Sequence, residues 1–77
     1  MKFKLLDTVV LDRSLPSESL QTGDLGTVVE VYEPDGLEVE FVTPTGQTKA
    51  LVTLNVSDVR AVSEDDVIAV RSYSRSA

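Results

Sequence analysis

The most informative stretch of the sequence is Gly23-Asp24-Leu25-Gly26-Thr27-Val28-Val29-Glu30-Val31-Tyr32. Two glycines bracket its start, where either a positive φ angle or a close approach of two chain segments excludes other residues. From Thr27 onward β-branched and aromatic residues dominate, which is the composition of a half-buried strand. The stretch therefore predicts a tight turn that leads straight into a β-strand.

Similar strand patterns lie on both sides of this stretch. The alternation is clearest at residues 37–42, where apolar residues occupy one parity and glutamates the other. Further strands are predicted at 5–11, 25–33, 48–54 and 59–62, with a single helical turn at 55–58. The sequence predicts an all-β fold, a small five-stranded SH3-like barrel with one short 3-10 turn before the last strand.

The orientation of the second strand depends on one charged residue. Glu30 is expected to face water, which places Val29 and Val31 inward and Val28 outward together with Tyr32. Long strands of small barrels often bend sharply, so one parity need not hold over the whole strand.

Composition limits the chemistry that this chain can perform. Its 77 residues make one domain and include no cysteine and no histidine. Disulfides, thiolate nucleophiles, cysteine or histidine zinc sites and imidazole catalysis are therefore excluded. The N-terminus does not resemble a signal peptide, and no apolar run approaches the roughly 18 residues of a membrane helix. We expect a soluble, cytoplasmic protein.

The charge balance bears on the kind of partner. Thirteen acidic and seven basic residues give a net charge of −6, which repels phosphate backbones and suits a basic protein surface. The same charge also serves solubility. We expect no enzymatic activity, no cofactor and no metal site. No histidine is present to activate a serine, and the lysines that could serve as a base, Lys2, Lys4 and Lys49, lie in a frayed end or at an exposed strand position. The acids Asp58, Glu64, Asp65 and Asp66 lack the spacing of a calcium loop.

A candidate partner-binding surface combines a tyrosine anchor, nearby acids and a long polar loop at residues 12–22. Its residues are Tyr32, Glu30, Glu38, Glu40, Leu15 and Leu20. The two leucines allow a second interpretation, in which they fold back and cap the open end of the barrel.

The sequence predicts that the C-terminal residues form a segment separate from the barrel. The barrel spans 1–62, and the tail at 63–77 is predicted to be a short helix or an extra strand that ends in frayed residues. Val67, Ile68 and Val70 are conspicuously apolar for a tail. They either fold back on the barrel or form a homo-oligomer by docking on another copy.

The motifs at 6–11, 23–32, 38–41 and 50–54 carry a resemblance to a known family. In this order they resemble the bacterial domain-of-unknown-function family 4926, over about residues 5–62 of the chain. The resemblance implies an SH3-like barrel and no particular activity. The glycine hinge is also similar, at the level of fold, to KOW motifs and to small SH3-like subunits of photosynthetic electron-transfer complexes.

Three functions remain open from the sequence. We expect a non-catalytic protein-interaction module for a basic protein partner. The alternatives are a KOW-like domain associated with RNA or ribosomes, and a small immunity- or antitoxin-like protein that neutralises a basic effector. Nucleic-acid binding is disfavoured because the single basic and aromatic grouping, Arg71, Tyr73 and Arg75, lies in the tail.

Overall fold

A computed structural model of the chain describes residues 1–74. Its strands are β1 (Thr8–Leu11), β2 (Leu25–Tyr32), β3 (Gly36–Val42), β4 (Thr48–Asn55) and β5 (Val59–Ala61). They form one antiparallel sheet in the order β4-β3-β2-β1-β5, so that the first strand pairs with both the second and the last. The predicted fold class is confirmed: the chain is all-β, with five strands and a 3-10 turn before the last strand.

Two short 3-10 segments connect the strands, one at Val56–Asp58 as predicted and a second at Pro16–Glu18 in the polar loop. The Asn55 side chain accepts a hydrogen bond from the Ser57 N–H at 3.0 Å, and the Asp58 carboxylate accepts one from the Asn55 N–H at 2.9 Å. This reciprocal cap satisfies amides that a single helical turn leaves without partners. It fixes the direction in which the chain enters β5.

The core is made by inward-facing residues of the strands and by side chains from the flanking loops. Its fully buried members are Val9, Leu11, Val28, Leu37 and Val39. Phe41 from β3 and Leu54 from β4 complete the middle of the cluster, as the alternation at 37–42 predicts for β3. No polar or charged residue is buried in the described part of the chain, so apolar burial provides the main stabilisation.

The two glycines of the hinge have different physical roles. Gly23 has a φ angle of 99°, a conformation that costs other residues energy. At Gly26, a Cβ atom would collide with the Val39 side chain and come within 3.0 Å of Cε1 of Phe41. Gly23 therefore makes the turn, and Gly26 allows β2 to cross closely over the core.

A β-bulge corrects one expectation for β2. The pairing with β3 shifts between Val28 and Glu30, so the side-chain parity of the strand changes at Val29. Val28 is completely buried, and the expectation that it points outward is wrong. Val31 packs against the core as expected, while Glu30 and Tyr32 are exposed.

The segment at residues 62–74 forms neither the short helix nor the extra strand expected for the tail. The Ser63 N–H does donate to Asp66 at 2.7 Å, and the Asp65 N–H donates to Oγ of Ser63 at 3.2 Å, as in a helix-starting cap. The turn does not continue into a helix. Arg60 binds the Asp66 carboxylate, and the next residue is Val67, whose β-branched side chain slightly disfavours a helix. The part of the expected frayed end at 75–77 lies outside the described residues.

Nothing in the described chain is a candidate for crossing a membrane as a helix, since no helix within residues 1–74 has the necessary length and apolar character.

Candidate partner-binding face

The outward surface of the central strands brings four of the six predicted site residues together. Glu30 of β2 lies directly opposite Glu38 of β3, and Glu40 follows two residues later on the same side of β3. Tyr32 lies at the end of β2, opposite Gly36. We call Tyr32, Glu30, Glu38 and Glu40 the acidic face.

Neighbouring threonines of β4 hold two of these carboxylates in place. The Thr53 hydroxyl donates to Oε1 of Glu38 at 2.6 Å, and the Thr48 hydroxyl donates to Oε2 of Glu40 at 2.6 Å. A hydroxyl neutralises no charge, so both carboxylates keep their capacity to bind a cation. The sequence alone did not reveal this support, because it depends on the pairing of β3 with β4.

The surroundings of Tyr32 raise the pKa of its hydroxyl. Partial loss of solvent raises the pKa of Tyr32, and the negative charges of Glu38 and then Glu30 raise it further. Tyr32 remains 46% exposed, so its ring is available to a partner. Leu51 of β4, opposite Glu40, adds an exposed apolar side chain that sequence reasoning did not assign to this surface.

Four of the bases within the described residues form ion pairs outside the acidic face. All four ion pairs among residues 1–74 use aspartates: Lys4–Asp7, Arg13–Asp58, Arg60–Asp66 and Arg71–Asp24. In that part of the chain, no lysine or arginine forms an ion pair with a glutamate of the acidic face. The three carboxylates therefore form a patch of uncompensated negative charge.

A family model described as Domain of unknown function (DUF4926) matches residues 5–61. The chain belongs to the DUF4926 family. No curated protein and no solved structure matches the chain. The matched region of this DUF4926 chain contains the whole acidic face and ends before the tail segment.

The other two predicted site residues have a structural role in this DUF4926 chain. Leu15 and Leu20 pair across the 3-10 segment, through an N–H···O bond of 2.9 Å from Leu15 to Leu20. Leu20 is buried in the core and Leu15 packs against it. Both leucines fold back onto the core, and the structure does not place them with the acidic face.

The tail contributes a contact that sequence reasoning missed. Arg71 donates from Nε to Asp24 at 2.9 Å, forms a second hydrogen bond to the same carboxylate, and reaches the Ser19 carbonyl oxygen at 3.1 Å. The Tyr73 hydroxyl donates to the Glu18 carbonyl oxygen at 2.8 Å. We call these contacts the tail clasp. They engage two of the three residues in the basic and aromatic grouping; the third, Arg75, lies outside the described residues.

Partial burial is the largest single influence on the pKa of Asp24, and it raises that pKa. Hydrogen bonds from Arg71 and from the Gln21 N–H, together with the positive charge of Arg71, outweigh the effect of burial, so the pKa of Asp24 is lowered. The lowered pKa favours the ionised form of Asp24, which is the form that binds Arg71 in the tail clasp.

No group of three or more histidine, cysteine or carboxylate side chains within residues 1–74 is arranged to hold a metal ion. Asp58 and Asp66, two of the acids considered from the sequence, are held by Arg13 and Arg60.

Proposed function

We propose that this DUF4926 chain is a cytoplasmic, non-catalytic protein-interaction domain that binds a basic protein through the acidic face. The observation that supports this proposal is the cross-strand pair of Glu30 and Glu38, which lie directly opposite each other without an ion-pairing base among the described residues. Like charges at directly opposite positions of a sheet destabilise it.

A lysine or arginine of a partner would relieve this repulsion. Placed between the two carboxylates, such a cation would interact with both at once and would form charge-assisted hydrogen bonds. The position is on a strand pair rather than on a loop, so the carboxylates are already held in place before binding. The acidic face therefore suits a basic protein segment.

The neighbouring side chains would add apolar contact to this electrostatic attraction. Tyr32 offers an exposed ring at the end of β2, and Leu51 is 56% exposed beside Glu40. Tyrosine is favoured at the energetic centres of interfaces, since it buries a large area with few rotatable bonds. A basic segment that also carries an apolar residue would fit both parts of the surface.

The test is affinity capture from the native cell with the wild-type chain, Tyr32→Ala and the double variant Glu38→Lys with Glu40→Lys. We expect at least one basic protein to be retained by the wild type, to be lost from the double variant and to bind weakly to Tyr32→Ala. Attraction between opposite charges also predicts that rising salt concentration weakens retention.

The matched control is Glu64→Lys with Asp65→Lys, which makes the same change in net charge on an exposed turn outside the acidic face. It should retain the partner. Equal loss in the control would mean that net charge alone governs binding, and retention by all variants would contradict the proposal. Binding of generic RNA with a steep salt dependence would favour the KOW-like alternative instead.

A further inference from the structure

The strand β4 lies at the end of the sheet, and one of its sides has no partner strand within the described residues. The order β4-β3-β2-β1-β5 makes it an outer strand that pairs only with β3. In an antiparallel pair, every second residue directs its N–H and C=O groups away from the partner strand. Within residues 1–74, residues 49–54 form no backbone–backbone hydrogen bond besides those to β3. We call this unpaired side of residues 49–54 the β4 edge.

The β4 edge lacks most of the features that keep an exposed sheet edge from pairing. Proteins protect such edges with prolines, lysines, bulges or very short strands. The other outer strand, β5, has only three residues, whereas β4 has eight residues and no proline. Its lysine, Lys49, and the irregular pairing between Phe41 and Val42 both lie at the start of the strand. Residues 50–54 are therefore available for pairing with an added strand.

Two carboxylates of the acidic face are held toward this edge. Thr48 and Thr53 belong to β4, and their hydroxyls donate hydrogen bonds of 2.6 Å to Glu40 and Glu38 of β3. The carboxylates therefore lie toward β4 rather than toward β2. Neighbouring strands of a sheet are about 4.8 Å apart, so long basic side chains on an added strand would reach both carboxylates.

The spacing of the two carboxylates matches the repeat of an extended chain. Glu38 and Glu40 are two residues apart on one face of β3, which separates them by about 7 Å along the strand. Side chains of any added strand return to the same face with this period. Leu51, opposite Glu40 and 56% exposed, offers an apolar contact to the aliphatic part of a basic side chain. Basic residues at alternating positions would therefore meet both glutamates at once.

We propose that the β4 edge binds an extended segment of a basic protein, which adds a sixth strand to the sheet and carries lysine or arginine at alternating positions. This inference rests on the proposed function and adds to it the conformation and the residue pattern of the partner. Main-chain hydrogen bonds would provide affinity, and Glu38 and Glu40 would select basic side chains. A second copy of this chain is disfavoured as the occupant, because pairing two β4 edges would bring the glutamates of both copies together.

The experiment measures the binding of labelled synthetic peptides to the full chain by fluorescence anisotropy at low salt. The first peptide alternates threonine and lysine over seven residues, and the second has the same composition with its three lysines adjacent. The two peptides have equal charge, so attraction to net charge alone predicts equal affinity. Strand addition predicts that the alternating peptide binds about tenfold more tightly, because only its lysines all share one face.

Two further versions of the alternating peptide carry N-methyl groups, either on the lysine amides or on the threonine amides. The N–H groups of alternate residues point to opposite sides of a strand, so only one version blocks pairing with β4. That version should lose about tenfold or more in affinity, and the other should bind almost as well as the unmethylated peptide. Hydrogen exchange of every second amide in residues 50–54 should slow when the alternating peptide binds.

The variant Glu38→Gln with Glu40→Gln tests the selection for basic residues. It should weaken binding of the alternating peptide by about tenfold, because it removes both negative charges beside the edge. The matched control is Glu64→Gln with Asp65→Asn, which removes two negative charges from an exposed turn outside the acidic face. The control should bind the peptide like the wild type.

Equal affinity for the alternating and block peptides would overturn strand addition and leave the acidic face as a site for basic proteins. Equal affinity of the two methylated versions would have the same meaning. A chain that binds none of the peptides would overturn both this inference and the proposed function, as would wild-type binding by the Glu38→Gln, Glu40→Gln variant. A dimer whose β4 amides are protected without peptide would assign the edge to a second copy and would also overturn the inference.

Discussion

Gly26 allows β2 to pack closely against the core because glycine has no side chain. The strand β2 crosses the core at this point, and the space beyond its Cα atom is filled by Val39 and Phe41. The neighbouring hinge residue Gly23 has open space around it, and its requirement is only for a positive φ angle. The two positions should therefore differ in the substitutions that they tolerate.

Gly26→Ala should destabilise the domain by roughly 1–3 kcal/mol, because the new methyl group has to displace buried side chains. Urea unfolding followed by circular dichroism measures this loss. The control is Gly23→Asn, which keeps access to the left-handed region and meets no atoms, and which should cost much less. Equal stability of Gly26→Ala and the wild type would contradict the close approach that we describe.

Tyr32 provides a local measurement of the electrostatics of the acidic face. In a Tyr73→Phe background it is the only tyrosine, so absorbance changes at high pH report its ionisation alone. We expect the Tyr32 pKa to lie above its ordinary value of 10.0, and Glu38→Gln to lower it. The matched control is Glu64→Gln, which removes one negative charge elsewhere and should leave the pKa unchanged. A Glu38→Gln variant with an unshifted pKa would contradict the arrangement of these two side chains.

At the scale of elements, the pairing of β2 with β3 places Glu30 opposite Glu38. Glu30→Gln should stabilise the isolated domain by on the order of 0.5 kcal/mol, because it removes a like-charge repulsion between adjacent strands. The same substitution should weaken binding of a basic partner. Thermal unfolding at low and high salt measures the first effect, and the stability difference should shrink as salt screens the repulsion. Lower stability of the variant would show that the repulsion is absent.

The turn that joins β5 to the tail depends on Asp66. A hydrogen bond from Arg60, and then one from the Ser63 N–H, lower the pKa of Asp66 from 3.8 to about 2. Because the pKa is lower in the folded state, ionised Asp66 contributes stability that is fully present above pH 3.8 and is lost as the pH falls through about 2.

A carbon NMR titration of the Asp66 carboxylate should therefore give a midpoint near 2 in the wild type. In Arg60→Gln the midpoint should move up toward 3.8. Asp65→Asn serves as a control, since the Asp65 side chain accepts no hydrogen bond from Arg60. A wild-type midpoint at the ordinary value would mean that the ion pair does not form in solution.

At the scale of the whole molecule, the five-stranded sheet and the tail differ in how they are stabilised. Among residues 1–74, all five strands and both 3-10 segments lie before residue 62, and the strands pair with one another without the tail. The tail is attached through side chains, with Tyr73 packed against the core and Arg71 bound to Asp24. The five-stranded domain should therefore fold alone, although less stably.

Deletion of residues 63–77 should leave a cooperatively unfolding domain that is less stable by about 1–3 kcal/mol, mainly through the loss of Tyr73 burial. Tyr73→Ala in the full chain should account for most of this loss. Thermal and urea unfolding provide the comparison. A truncated chain that does not fold would show that the tail belongs to the core, and one with unchanged stability would show that the clasp contributes nothing.

The sequence predicted correctly the features that depend only on residues close together in the chain. The alternation of Leu37, Val39 and Phe41 predicted three core positions of β3, and all three are buried. The same rule failed at Val28, because a bulge inserts a residue and changes the parity of the strand. A bulge is set by the register with the partner strand, and residue order in β2 alone does not encode that register.

The tail shows more clearly this difference between what local pattern predicts and what contacts with distant residues decide. Its sequence has a capping pattern and an apolar run, and both are compatible with a helix or a strand. Its conformation is decided by Asp24, which lies 47 residues before Arg71, and by the carbonyl oxygen of Glu18. Contacts over such distances arise only after the sheet has formed, so local pattern could not predict them.

Sequence by itself determined the all-β class, the positions of the strands, the glycine hinge and the excess of acidic residues, since each depends on side-chain chemistry within a few residues. Tertiary structure alone decided which acids face each other across β2 and β3, which leucines enter the core, and where the exposed apolar side chains collect. These features depend on strand register and on how the tail packs against the sheet, and both are properties of the folded chain as a whole.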